Sequence, residues 1–145
     1  MKRIIAIVIA LICVAVLFAA CSNESSEQVD KGSEFLTTEI ENVSIRISDV
    51  SSSGATVTIR DTNEEPFLYG EWYSVEKYDG GQWTEIEPII ENYAFTMIGY
   101  IPDENDEVKF EINWEWLYGK LPAGSYRLIK SVDNKYISVS FDIAE

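Results

Sequence analysis

Residues 126–143 read YRLIKSVDNKYISVSFDI, and this stretch decides the fold of the chain. Its second half alternates between apolar and polar side chains, and the apolar members are Ile137, Val139, Phe141 and Ile143. Because successive side chains of a strand point to opposite faces, this alternation predicts a strand with one buried face. Asp133-Asn134 separates it from the apolar run at residues 126–132. The stretch therefore predicts a pair of strands joined by a short turn.

Shorter runs with the same alternation precede this pair, at residues 43–48, 55–60 and 110–115. Asp79-Gly80 follows an aromatic run at residues 67–78 and is a strong hairpin signal. Residues 93–101 predict a further strand, and residues 115–121 allow at most one helical turn. About eight short strands at this spacing are typical of a sandwich. We therefore predict an all-β fold with two stacked antiparallel sheets.

The N-terminus predicts the compartment. Met1-Lys2-Arg3 is positively charged, residues 4–20 are apolar, and Cys21 is followed at once by polar residues. This order predicts a secretory signal peptide over residues 1–20. A retained transmembrane helix is the alternative, because seventeen apolar residues lie at the lower limit of what spans a bilayer.

The end of the apolar stretch, residues 17–21 (LFAAC), resembles the lipobox of bacterial lipoproteins. The resemblance implies that Cys21 is diacylated and becomes the mature N-terminus, and two acyl chains attach a protein stably to a membrane. We therefore expect a lipid-anchored protein on the extracytoplasmic side of the cell membrane. Residues 21–36 are expected to form a flexible linker, and residues 37–145 the folded domain.

Composition excludes several classes of function. Loss of Lys2 and Arg3 with the signal leaves 9 cations against 25 carboxylates, a net charge of −16. Such a surface repels phosphate backbones, so we expect no nucleic-acid partner. The chain has no histidine, and Cys13 lies within the predicted signal. Histidine-based triads, histidine metal ligands and disulfides are thereby excluded, and we expect neither an enzyme nor a bound metal or cofactor.

Residues 121–126 (LPAGSY) resemble a tyrosine corner, in which a Tyr hydroxyl binds the backbone a few residues upstream. A wider pattern comprises Tyr69-Gly70, Tyr73, Val75-Glu76-Lys77, Gly81, Trp83, Trp114, Tyr118-Gly119, Leu121-Pro122, Gly124 and Tyr126-Arg127. Together these residues resemble a bacterial immunoglobulin-like domain of secreted proteins and lipoproteins, mainly Gram-positive, over residues 42–143. The resemblance implies an immunoglobulin-like sandwich of about 7–9 strands and says little about activity.

The aromatic residues supply the candidate binding site. Trp72 and Trp116 are the best candidates for exposed binding residues. Trp72 lies on the strand face opposite Tyr73, and Trp116 breaks the alternation that would bury Trp114. Trp83, like Tyr73, is instead expected to belong to the core. Exposed Trp is common at binding surfaces, although aromatic residues of strands more often serve cross-strand packing.

Charged residues suggest two further features. Glu76 and Arg127 lie in predicted strands, and a pair across those strands would satisfy both charges. Residues 102–107 carry four carboxylates, which favours a solvated turn and leaves a calcium site as the alternative.

We therefore expect a binding, adhesion or accessory module of the cell envelope, attached to the membrane through Cys21 and facing an envelope protein or glycan. The alternative is a proteinase-inhibitor-like module that acts through the loops at residues 61–66 and 102–107.

Overall fold

The computed structural model describes residues 33–145. The predicted signal peptide, Cys21 and most of the predicted linker therefore lie outside the described residues. Within residues 33–145, no helix has the length and hydropathy needed to cross a bilayer.

Nine strands and one helical turn follow one another along the described chain. The strands are β1 (Val43–Ser48), β2 (Gly54–Asp61), β3 (Tyr69–Gly70), β4 (Tyr73–Asp79), β5 (Gln82–Glu85), β6 (Gly99–Tyr100), β7 (Glu107–Asn113), β8 (Gly124–Val132) and β9 (Lys135–Ile143). The helix α1 is Glu115–Tyr118. The all-β prediction is confirmed, as is the single helical turn expected before residue 121.

Two main sheets carry the fold, with strand orders β1-β2-β7 and β5-β4-β8-β9. All neighbouring strands within them are antiparallel. Strands β3 and β6 form a separate two-stranded sheet. Strands β1 and β2 lie in one main sheet and β8 and β9 in the other, and the chain crosses between the two sheets in the part that separates these pairs. This is the arrangement of an immunoglobulin-like sandwich, so the predicted fold class is confirmed.

The core lies between the two main sheets. Strand β7 turns Val108, Phe110 and Ile112 inward and leaves the residues between them exposed. Strand β9 supplies Phe141, whose ring stacks on that of Trp114 at 5.1 Å between centroids. The alternation seen in the sequence places these side chains in facing rows. Burial of each large apolar side chain stabilises the fold by roughly 1.5–3 kcal/mol.

Turn residues have the backbone conformations that their positions require. Asp133 and Asn134, between β8 and β9, have φ angles of 45° and 62°. Two consecutive positive φ angles characterise the type I′ hairpin turn, whose twist matches that of the flanking strands. The hairpin of β4 and β5 turns at Gly80 and Gly81, which also have positive φ. Both predicted hairpins are therefore confirmed.

The tyrosine corner is confirmed as well. The Tyr126 ring is buried, and its hydroxyl donates a hydrogen bond of 2.7 Å to the carbonyl oxygen of Pro122. The segment between them is thereby tied to the start of β8. Burial raises the pKa of the Tyr126 hydroxyl, which therefore stays protonated and able to donate.

Two predicted strands are shorter than expected. Of residues 93–101, only Gly99–Tyr100 pairs with another strand. The rings of Tyr93 and Phe95 pack against other aromatic residues, and the backbone around them has no neighbouring strand among the described residues to pair with. The run at residues 67–78 is interrupted between β3 and β4, since β3 pairs with β6 rather than with a main sheet.

Candidate functional site

Trp116 projects from the one-turn helix α1. Its side chain is 41% exposed, whereas the neighbouring Leu117 and Tyr118 are buried. The helix is held in place by Trp114, whose indole nitrogen donates to the carbonyl of Ser52 at 2.9 Å. Because α1 follows β7 directly, it breaks the strand alternation and turns Trp116 away from the core. The sequence-based expectation of an exposed Trp116 matches its position.

Trp116 contacts the long connection between β5 and β7. We call residues 86–101 the connecting segment. The Trp116 ring lies 6.3 Å from that of Tyr93 and 5.9 Å from that of Phe95, both edge to face. Phe95 also packs on Tyr73 at 5.1 Å, which links this aromatic group to the core. Edge-to-face pairs of this kind add about 0.5–1.5 kcal/mol beyond the area they bury.

Hydrogen bonds hold the two ends of the connecting segment, including the Ile86 amide to the Val75 carbonyl at 3.0 Å and the pairing of β6 with β3. Near its start, the amide of Ile89 donates to the carbonyl of Leu117 at 2.8 Å. Near its end, the Glu71 carboxylate accepts bonds from the hydroxyls of Thr96 at 2.6 Å and Tyr100 at 2.7 Å. These two hydrogen bonds lower the pKa of Glu71, which therefore stays ionised as their acceptor. Between these points Ile90 and Tyr93 are exposed, whereas Phe95 is half-buried against the core.

Ten large apolar side chains are exposed among residues 33–145. Six of them belong to the connecting segment. Two more touch it: Trp116, and Leu68, which lies against Gly99. We call these eight residues the apolar surface; they are Leu68, Ile89, Ile90, Tyr93, Met97, Ile98, Ile101 and Trp116. These side chains follow the connecting segment from its contact with α1 to its pairing with β3, and exposed apolar patches on soluble domains mark interaction sites.

The outer face of the four-stranded sheet carries a buried ion pair. Glu76 and Arg127 lie directly opposite each other on β4 and β8, and the Arg127 Nε lies 2.5 Å from a Glu76 carboxylate oxygen. The Arg127 guanidinium also lies 4.7 Å from the centre of the half-buried Trp83 ring. The predicted cross-strand pair is therefore confirmed, while Trp83 lies on the outer face and not in the core between the sheets.

Trp72 lies on the same outer face and is only half-buried. Its ring packs against Phe35 at 5.6 Å and Tyr136 at 5.8 Å. Phe35 belongs to the predicted linker, and Ser33 in the same stretch donates to the other Glu76 oxygen at 2.5 Å. The expectation of a freely exposed Trp72 therefore differs from its position, because residues before the domain pack over it. Trp72 and Trp116 also belong to separate aromatic groups.

The family model of the bacterial Ig-like domain matches residues 35–142. The chain belongs to the bacterial Ig-like domain family. Searches of curated proteins and of solved structures returned no match. The family match begins at Phe35, so it includes part of the stretch predicted as linker.

The two loops predicted as inhibitory wedges meet at one end of this bacterial Ig-like domain. The amide of Asp61 donates to the carbonyl of Asp106 at 2.9 Å. The Asp61 carboxylate is buried and accepts bonds from the Tyr69 hydroxyl and the Phe67 amide, each at 2.8 Å. Burial alone would raise the pKa of Asp61, but these and the Asn63 hydrogen bonds lower it overall. The loop at residues 61–66 is therefore tied to the body at both ends.

The acidic loop of the bacterial Ig-like domain uses its carboxylates to form the turn. One Asp103 oxygen accepts the amides of Asn105 at 2.8 Å and Glu107 at 3.1 Å. Glu107 forms a two-pronged ion pair with Arg46, with a shortest distance of 2.8 Å. Over residues 33–145, no group of three or more acidic or cysteine residues is placed to hold a metal ion. The hydrogen bonds of Asp103 and the ion pair of Glu107 favour the solvated-turn interpretation.

Sequence reasoning missed the buried Lys130. Its side chain lies in the inward row of β8 with Tyr126 and Leu128 and is fully buried. The ammonium donates to the carbonyl of Gly70 at 2.6 Å and lies 3.9 Å from the centre of the Phe110 ring. Burial lowers the pKa of Lys130 to about 7, partly opposed by the charge of Glu71. The available signal was its place, two residues after Leu128, in a row of core positions.

Proposed function

We propose that this chain is a lipid-anchored, non-catalytic binding module on the extracytoplasmic side of a bacterial membrane, and that it holds an envelope partner on its apolar surface. The observation that carries the proposal is that, within residues 33–145, eight of the ten exposed large apolar side chains belong to the connecting segment or touch it. Membership of the bacterial Ig-like domain family supports an extracellular binding or adhesion role.

The anchor is supported by residues 1–21, which combine a charged start, an apolar stretch and a lipobox-like end. Lipidation of Cys21 would tether the domain through the polar residues that follow. The net charge of −16 would be repelled by anionic headgroups and would hold the domain away from the bilayer. The apolar surface would then face other envelope components.

Lipidation at Cys21 has a direct test with a matched control. Metabolic labelling with an alkyne fatty acid is expected to mark the wild-type chain, and Cys21→Ser is expected to abolish the label. Cys13→Ser removes the other cysteine of the chain, inside the predicted signal peptide, and is expected to leave labelling and membrane fractionation unchanged. Labelling that survives Cys21→Ser would overturn the anchor.

The binding surface is tested by site-specific photocrosslinking in intact cells. A photoreactive residue at the fully exposed Met97 is expected to crosslink an envelope component. The same residue at the exposed Ser44, on the polar outer face of the β1-β2-β7 sheet, serves as the control.

A photoreactive residue at a third position tests the alternative function, proteinase inhibition. Glu64 is exposed in the loop at residues 61–66. A protease crosslinked from Glu64 and not from Met97 would replace the proposed function with the inhibitor function. Equal crosslinking from Met97 and Ser44, or none from either, would remove the support for a binding role of the apolar surface.

A further inference from the structure

The apolar surface includes side chains suited to anchoring a partner. Trp116 and Tyr93 present large, partly exposed rings held in an aromatic group that reaches the core. Met97 is fully exposed and adaptable in shape. Trp and Tyr are enriched among the few interface residues that supply most binding energy. A partner therefore needs apolar side chains to meet these residues.

Acidic residues flank these apolar side chains along the chain. Residues 86–106 contain five carboxylates and no Lys or Arg; the carboxylates belong to Glu87, Glu91, Asp103, Glu104 and Asp106. All five are exposed.

Cations lie near the ends of this acidic stretch, and each faces a carboxylate; at the Asp103 end, the charge of Lys109 also acts on Asp103. Lys120 lies 4.0 Å from Glu115, beside α1, and Arg60 lies 3.9 Å from Asp106. Along residues 86–106 themselves the charge is of one sign.

The charge discriminates among three possible occupants of the apolar surface. A second copy of the chain would bring another net charge of −16 to a stretch whose own charge is already negative. An anionic bilayer would be repelled in the same way. A cationic protein segment would be attracted, since complementary potentials steer association and like charges suppress wrong partners.

We propose that the apolar surface binds a cationic protein segment, one that presents Lys or Arg side chains to Glu87 and Glu91 and apolar side chains to Trp116 and Tyr93. This inference rests on the proposed binding function and adds the chemical class of the partner. The apolar contacts supply affinity, and the carboxylates of Glu87 and Glu91 supply selection and salt dependence.

The test pans a random twelve-residue peptide library against the full lipidated protein in phosphatidylcholine nanodiscs, with empty nanodiscs as background. The enriched pool is expected to be cationic and to contain large apolar residues. Trp116→Ser is expected to weaken selected peptides at least about tenfold, as expected for an anchor residue. The double variant Glu87→Gln/Glu91→Gln is expected to weaken them a few-fold and to reduce the salt dependence of binding.

A matched charge control is Glu39→Gln/Glu41→Gln. It removes the same number of charges from exposed positions outside the apolar surface, and it is expected to leave binding unchanged. Unfolding temperatures equal to that of the wild type verify that each variant is folded. An acidic or uncharged enriched pool, no enrichment, or equal losses in the two double variants would overturn the cationic partner.

Photocrosslinking distinguishes failure of the partner class from failure of the proposed binding function. A crosslink from Met97 to an envelope component, combined with failure of the peptide experiment, leaves the proposed binding function standing and overturns only the partner class. Failure of both experiments overturns both. Self-association in sedimentation experiments that Trp116→Ser abolishes would assign the surface to a second copy and would also overturn the cationic partner.

Discussion

Lys130→Met is expected to raise the free energy of unfolding at pH 6 by about 2–4 kcal/mol. Lys130 is fully buried between the sheets, and burial lowers its pKa from 10.5 to about 7. At about 1.4 kcal/mol per pKa unit, burial of the charged lysine lowers the free energy of unfolding at low pH by at most roughly 5 kcal/mol. Methionine removes this cost, although it leaves the Gly70 carbonyl without its donor, which costs about 1–3 kcal/mol.

The pH dependence identifies the cause. The folded-state pKa of Lys130 lies below its unfolded value, so the unfolded chain binds more protons between about pH 7 and 10.5. Wild-type stability should therefore rise with pH across that window and should not depend on this group below it. Burial raises the pKa values of Tyr73 and Tyr118, so ionisation of tyrosines in the unfolded chain lowers stability above pH 10. Urea unfolding between pH 6 and 9.5 isolates the lysine.

The control for this prediction is Lys120→Met, at an exposed lysine. Its pH profile should follow the wild type, whereas the rise above pH 7 should be absent from Lys130→Met. Glu71 is the charged group identified as opposing the shift, so Glu71→Gln should lower the pKa of Lys130 further. An unchanged slope in Lys130→Met would contradict the assignment of the rise to this side chain.

Glu76→Leu is expected to lower the free energy of unfolding by about 3–5 kcal/mol. Glu76 is fully buried, and its carboxylate faces the Arg127 guanidinium across the sheet while accepting the Ser33 hydroxyl. Removal of the carboxylate leaves a buried cation without this partner, which costs more than loss of an exposed pair. Denaturant unfolding at pH 7 measures the change.

A double variant tests whether the loss arises from the uncompensated charge. Glu76→Leu/Arg127→Met replaces the pair by apolar side chains and should recover most of the stability, because a buried ion pair often contributes little beyond an apolar pair of similar size. Glu107→Gln breaks the exposed Arg46 pair and should have a small effect. A double variant as unstable as the single one would show that the loss comes from packing.

Several features were predictable because local patterns determine them. The type I′ turn at Asp133 and Asn134 depends on two adjacent residues that tolerate positive φ. The tyrosine corner depends on the four-residue separation of Pro122 and Tyr126. The pairing of Glu76 with Arg127 followed from two charges in strands that must satisfy each other. In each case the partners are close in sequence or matched by strand register.

Other features depend on contacts between distant segments. Trp72 is covered because Phe35, 37 residues earlier, packs on its ring. Residues 93–98 form no strand, since Tyr93 and Phe95 find aromatic partners in Trp116 and Tyr73 instead of a neighbouring backbone. The apolar surface also required the structure, because residues 93–101 were predicted as a strand, yet Met97 within them is fully exposed.

The amino-acid sequence by itself determined the two-sheet sandwich, its hairpins and the acidic charge of the surface, since period-two alternation, turn residues and composition act locally or in sum. Tertiary structure alone decided that Lys130 is buried against Phe110 and that six large apolar side chains of the connecting segment stay exposed. The physical reason is that a side chain's environment is set by the elements packed against it, and those elements come from distant parts of the chain.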